Sequence, residues 1–379
     1  MISEVYAEQY AQEAYELLKT LAQIPAPSNH EEKRAEFCKS WLQANGVENV
    51  TIDQALNVQI PFGVTADNPI TVIMAHMDVV FPDTTPLPLQ EDEERLAAPG
   101  VGDDTANLVV LMMAARYLTE NKLTPADGGV LLVCNSGEEG LGNLKGCRYI
   151  METYGHRVKE FISLDGGMKG IVSRAVGSKR YRVEICTEGG HSYGAFGNRN
   201  AIAYMAALID SLYTMKVPQN GRTTYNVGTI SGGTSVNTIA QQCEILYEFR
   251  SDSREDLAIM DRHFAVAIEY FQAKGITVNV ELLGERPCGA LVDEEKQEAL
   301  MRRCQDSMSL YNGGIRPEGG AGSTDCNIPL SMGIPSACFG CYSGRGAHTR
   351  EEYVERASLL PGFKLGLHFI HSYFGGQNE

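Results

Sequence analysis

The stretch Ile70-Thr-Val-Ile-Met-Ala-His76-Met-Asp78-Val-Val-Phe-Pro82 decides how this chain is read. Its run of β-branched and apolar residues from 70 to 75 is the pattern of a strand buried on both faces. The strand delivers a histidine and then an aspartate at its carboxyl end, which in an open α/β sheet is the end where ligands bind. A single His-x-Asp carries little weight, so its meaning depends on what other strands bring to the same edge.

At 379 residues the chain is long enough for two domains with substantial cores, and 43% hydrophobic with 21% charged residues is an ordinary globular balance. A formal charge of -16 without a basic stripe argues against a nucleic-acid partner, because phosphate binding needs clustered Lys and Arg. The first residues have neither a basic segment nor an apolar core, so no secretory signal is read there. The longest apolar run, 108–115, is far short of the roughly 20 residues of a spanning helix, and no membrane partner is expected. Ten cysteines are too sparse for a disulfide scaffold. The CxxC formed by Cys338 and Cys341 has no second pair beside it, which points to reduced, structural thiols in a cytoplasmic protein.

Outward from the opening strand, residues 3–22 carry Val5, Leu17, Leu18 and Leu21 among polar residues and read as an amphipathic helix. Ser28 is the expected N-cap of a second helix, with Glu31 at the capping-box position. A strand is expected over 50–60 and a loop over 82–95. Gly100-Val-Gly-Asp103-Asp104 then leads into an apolar helix over 108–118, where one aspartate would suffice as a cap. Two more buried strands end in acid: 129–134 runs into Gly137-Glu138-Glu139, and 161–164 runs into Asp165.

After residue 171 the pattern changes to alternation, and the order β-α-β-β-α-β emerges, that of a ferredoxin-like sandwich. Residues 175–286 are therefore expected to be an inserted α+β domain within an α/β domain made of 1–174 and 287–379. In the latter, a helix over 294–310, a glycine-rich turn at 319–325, a strand over 335–341, the segment reaching His348, and a helix over 359–373 complete the chain.

His76, Asp103, Glu139, Asp165 and His348 all follow strands or open helices of the one sheet. Two imidazoles and three carboxylates suit zinc, with manganese or cobalt as alternatives. Five ligands are one more than a tetrahedral zinc uses, but a carboxylate can bridge. One shared aspartate would give each of two metals that aspartate, a histidine and a further carboxylate, with the metals about 3.5–4 Å apart. Of the neighbouring acids Glu138 and Glu139, one can ligate while the other acts as general base. Asp78 could accept from the imidazole nitrogen that is not on metal, fixing its tautomer.

With these residues in view, the chain resembles the co-catalytic dizinc metallopeptidases, metallopeptidase family 20, which include peptidase T, glutamate carboxypeptidase, dipeptidases and aminoacylases. The likeness runs in order through His76-Met-Asp78, Gly102-Asp103-Asp104, Gly137-Glu138-Glu139-Gly140, Asp165-Gly-Gly, Gly189-Gly-His191-Ser192, Asn237 after Gly232-Gly, Gly322-Ser-Thr-Asp325 and Ala347-His348-Thr. It implies a zinc-exopeptidase-like catalytic domain with a central mixed sheet, and an inserted lid or dimerisation domain. It also implies two zinc ions. Asp103 would bridge them, with His76 and Asp165 on one metal and Glu139 and His348 on the other. Glu138 would be the base acting on a metal-bridging water. His191 and Asn237 would support the oxyanion, often from a partner subunit, where a donor contributes on the order of 10²–10³ in rate. Arg250 would bind a substrate carboxylate through its forked donors.

Structural readings stand beside these: a loop histidine for His191, a turn for Asn237, an ion pair for Arg250 and a cap for Asp325. Thr105-Ala106 replace the Lys-Gly frequent in the family, and Ala240 replaces a proline, which bears on substrate rather than on metal or base. Asp165, where the deacylase branches usually have Glu, favours a peptidase. The expected activity is hydrolysis of small peptides by a di- or tripeptidase of the peptidase T kind. The rival is a carboxypeptidase or N-acyl-amino-acid deacylase, and a non-catalytic binding protein on the same fold is a remote third.

Overall fold

The computed structural model describes residues 2–375. Contacts divide the chain into two compact units, Met1–Ala175 with Leu291–Glu379, and Val176–Ala290. The second junction falls four residues beyond the expected 286. The segment after Arg286 stays against the root of the inserted unit, where a Cβ on Gly177 would come within 2.8 Å of the Cys288 nitrogen.

The first unit is built on an eight-stranded mixed sheet. Its order is Thr51–Ile52, Val58–Phe62, Gly129–Asn135, Ile70–His76, Val158–Leu164, Ser336–Phe339, Ile171–Ala175, Gly319–Gly322. The opening strand, Ile70–His76, is buried at every residue and runs parallel to both neighbours, as its unbroken apolar run demands. Alternate residues feed two cores. Ile73, Ala75, Leu132, Ile162 and Phe339 join helices Ile2–Gln23, Asn107–Glu120 and Arg356–His371, whereas Val72, Met74, Leu131, Val133 and Phe161 meet helix Lys145–Tyr154. Truncating one such residue, Ile73→Ala, removes contacts worth about 2–5 kcal/mol.

Parallel pairing brings four strand ends to one edge. His76 lies opposite Asn135, which leads to Glu138 and Glu139, and Leu164 lies opposite Phe339, with Asp165 next in the chain. This edge carries the acids and histidines singled out in the sequence.

Local differences have local causes. Helix Glu32–Ala44 starts later than a Ser28 cap would place it, and Glu31 precedes it without a side-chain cap bond. Val5 is 62% exposed, and Tyr6 takes the inward position. The strand expected over 50–60 is broken between Ile52 and Val58, with Leu56 at φ 72. Gly319–Gly322 is an edge strand parallel to Ile171–Ala175 rather than a turn, and its glycines permit the approach, since a Cβ on Gly319 would meet Ser173 Oγ at 2.4 Å.

In the second unit the strands lie in the order Thr223–Gly232, Gln242–Ser251, Gly177–Cys186, Thr277–Arg286, every pair antiparallel. Helices Ala201–Tyr213 and Arg254–Ala273 pack on one face through Met205, Leu208, Phe264 and Phe271. Asn200 and Ser253 cap them through backbone N–H groups. This is the β-α-β-β-α-β sandwich that the alternation predicts. No helix among the described residues is long and apolar enough to cross a membrane.

Candidate active site

Asp103 occupies the centre of the acidic edge. One of its oxygens lies 3.1 Å from His76 Nε2, and the other lies 3.2 Å from His348 Nε2. His348 Nε2 is also 3.1 Å from Glu139 Oε1. Among the described residues, two overlapping groups could hold a metal ion, His76 with Asp103 and Glu139, and His76 with Asp104 and Asp165. The donor set of imidazole nitrogens and carboxylate oxygens fits zinc, manganese or cobalt.

The electrostatics reflect a crowd of acids. Burial and the facing Asp103 and Glu139 carboxylates push Asp165 up to about 6. Hydrogen bonding to Asp103 and Glu139 lifts His348 to about 10. Burial opposes charge on His76, but Asp104, Asp103 and Asp78 outweigh it and raise the imidazole well above its ordinary value. Burial likewise opposes the Asp103 charge, yet His348 and His76 hold that carboxylate below the usual range.

Each group is set by its loop. Gly137, at φ +64, makes the turn ahead of Glu138 and Glu139, both buried. Gly102 lies so near the Tyr342 ring that a Cβ there would approach to 2.6 Å. His348 is half-exposed with φ 66, in the left-handed region that few non-glycine residues adopt.

Asp78 is wholly buried and lies beside the His76 ring nitrogen that faces away from Asp103, but it also has a second set of partners. His76 Nδ1 is 3.0 Å from the Asp78 main-chain carbonyl and 3.4 Å from its carboxylate. The carboxylate accepts from the Glu138 and Glu139 N–H groups, both at 2.9 Å, and from Ser28 Oγ at 2.7 Å. Ser28 thus donates to a buried carboxylate, which needs donors, rather than capping the helix.

In the second unit, His191 and Asn237 are neighbours: His191 pairs with Thr238, and Ser192 N–H donates to the Asn237 carbonyl at 2.9 Å. His191 Nδ1 accepts from the Tyr193 and Gly194 N–H groups at 3.2 and 3.3 Å, which leaves Nε2 as the protonated nitrogen. Arg250 forms a two-point pair with Glu248, at 3.1 and 3.0 Å. Arg180 approaches the same carboxylate at 3.5 Å, and Arg286 lies close enough to Arg180 to repel its charge.

Several residues of the first unit make bonds that sequence reasoning does not assign. Asp104 accepts the His76 N–H at 3.0 Å, and Glu352 accepts three main-chain N–H groups of the Asp103 loop. Asp325 is buried rather than capping, and takes the Asn135 amide at 2.6 Å. Arg34, fully buried, donates to the Leu21, Ile24 and Met77 carbonyls. Only adjacency to a candidate ligand could have flagged Asp104 and Glu352, and no pattern in the sequence flags Arg34.

Solved structures share the whole architecture. A tripeptidase of Staphylococcus aureus superposes with a TM-score of 0.75 at 23% identity, covering 95% of this chain and 98% of that one. Aminopeptidase PepT of Bacillus cereus gives 0.72 at 21%, with 97% and 98% covered. A dinuclear metal binding peptidase of Bacillus subtilis gives 0.64 at 16%, with 96% and 98% covered. Residues 72–372, most of the chain, match the family model described as peptidase family M20/M25/M40. The chain belongs to that family, and with its acidic edge and two histidines it is a metallopeptidase-type hydrolase.

Proposed function

We propose that this protein is a dizinc exopeptidase that hydrolyses small peptides, a di- or tripeptidase of the peptidase T kind. The observation that carries the reading is Asp103, whose two oxygens face two different histidines, with Glu139 on one side and Asp165 on the other. His76, Asp103 and Asp165 would hold one ion, and Asp103, Glu139 and His348 the other. When bound, the ions supply Lewis acidity toward the scissile carbonyl and the attacking water.

The remaining work falls to side chains. Glu138 takes the proton of the attacking water and returns it to the leaving amine, so one carboxylate serves as base and then acid. Its main chain is fixed by Asp78, which accepts the N–H groups of Glu138 and Glu139. His191, with its proton on Nε2, and the Asn237 amide are donors suited to the developing oxyanion. Arg250, which shares Glu248 with Arg180, suits the free carboxylate of a short peptide.

A homodimer through the second unit accords with strand Thr223–Gly232 lying at its sheet edge, and with Ile202, Tyr213 and Ile230 at 41%, 47% and 55% exposure. Cytoplasmic residence accords with ten free cysteines.

Zinc-loaded protein should release free amino acids from di- and tripeptides. Hydrolysis confined to N-acyl amino acids would instead establish the deacylase. Glu138→Ala should lower kcat by about 10²–10⁴ while both metals stay bound. Retained peptide hydrolysis in that variant would refute the mechanism.

A further inference from the structure

Five carboxylates around the acidic edge differ in what their oxygens face. Asp103 and Glu139 face imidazoles. Asp78, Asp104 and Glu352 turn instead onto main-chain N–H groups, and each holds a loop other than its own. Glu352, four residues after His348, accepts from Gly100 at 2.7 Å, Gly102 at 2.9 Å and Asp103 at 2.7 Å. Asp104, next to Asp103, accepts from His76 at 3.0 Å. Asp78, two residues after His76, accepts from Glu138 and Glu139 at 2.9 Å each.

The bonds therefore run in one sequence. The His348 loop pins the Asp103 loop, the Asp103 loop pins the His76 strand end, and the His76 strand end pins the Glu138–Glu139 loop. Arg34 ties the middle of the series by donating to the Met77 carbonyl at 2.7 Å and to Thr105 Oγ1 at 3.3 Å. Carboxylates suit this task because their two oxygens offer several lone pairs, so one side chain can take donors from more than one residue. A glutamine at 352 would keep one acceptor oxygen and turn an N–H₂ toward donors, so three bonds could not all persist.

We infer that Glu352, Asp104 and Asp78 form a hydrogen-bonded relay that sets four of the five ligand-bearing segments as one unit, with Glu352 a positioning residue that acts on the ligand side chains through the main chain. This rests on the metallopeptidase reading above, since its object is the geometry of the metal ligands. The consequence is non-local: loosening the Asp103 loop at Glu352 loosens the His76 end and, through Asp78, the acid loop.

The experiment uses the full chain, freed of metal and titrated with Co²⁺, followed by calorimetry and visible absorption. Glu352→Gln should weaken Co²⁺ binding about 10–100-fold and alter the absorption of bound cobalt. Hydrogen exchange of the metal-free protein should then rise over residues 100–103, at His76 and at residues 138–139, while the rest of the unit keeps its protection. Faster exchange confined to 100–103 would overturn the relay, as would parental cobalt affinity and spectrum. Should Glu352→Gln fail to fold, Asp104→Asn breaks the second link: its exchange should rise at His76 and 138–139 but not at 100–103, and parental protection at 138–139 would refute the inference. A parent protein that binds no Co²⁺ would overturn the metallopeptidase reading together with the relay, whereas a parent that binds two ions and a variant indistinguishable from it would overturn the relay alone.

Discussion

Asp78 shows how much work a single buried carboxylate does at this edge. Burial opposes its charge, but His76, Ser28 and the Glu139 N–H hold its pKa below the usual value. Its carboxylate organises the acid loop, while the imidazole nitrogen leans on its main-chain carbonyl. Asp78→Asn should therefore lower kcat/KM about 10–100-fold with the fold kept and metal affinity weakened. Steady-state kinetics beside metal titration checks this, and parental kinetics would contradict it. His76→Ala, by contrast, should bind one ion fewer, because it removes a donor nitrogen rather than a support.

At the scale of elements, the tight junctions are as decisive as the ligands. Val101–Ala106 leads into helix Asn107–Glu120 through a kink, with non-helical backbone at Asp103 and Asp104, and it sets Gly102 against Tyr342. Gly102→Ala would force the ring or the loop aside, an overpacking cost of about 1–3 kcal/mol. The same displacement moves Asp103, so activity should fall further than the melting temperature alone explains. Arg34 joins elements in a different way, since its guanidinium satisfies the carbonyls at the end of helix Ile2–Gln23 and beyond strand Ile70–His76. Arg34→Met leaves those acceptors buried and bare, at a cost on the order of 3 kcal/mol measurable by denaturant unfolding.

At the scale of the whole molecule, the acidic edge makes stability depend on pH and on cations. Burial raises Asp165 to about 6 and Glu352 and Asp325 to about 7, above the values of an unfolded chain. The native state then holds protons that the unfolded state has released, so stability falls as pH rises from about 4 to about 7. His348, raised to about 10, stabilises fully below the ordinary histidine value, and that contribution fades as pH climbs through about 10. Asp103 and Asp78 are shifted the other way and lose their contribution only in acid, below about 4. Chelated protein should accordingly melt at progressively lower temperature from pH 5 to pH 9, and zinc should flatten the profile by neutralising the carboxylates. A flat profile in chelator would contradict the charge arrangement described here.

The sequence by itself determined what contiguous residues can encode. Ile70–His76 is buried at every position because every position before the histidine is apolar or β-branched, and the two-unit order followed from a change in hydrophobic period after residue 171. His76, Asp103, Glu139, Asp165 and His348 could be singled out as candidate ligands because each follows a strand or opens a helix. Only the tertiary structure decided which groups those residues lean on. Ser28 reaches Asp78 across 50 positions and Glu352 reaches Gly102 across 250, distances over which no local pattern signals a partner. A strand is specified by its own alternation and burial, whereas a buried carboxylate takes whichever donors the packed chain brings within reach, and those come from segments that meet only once the sheet has formed.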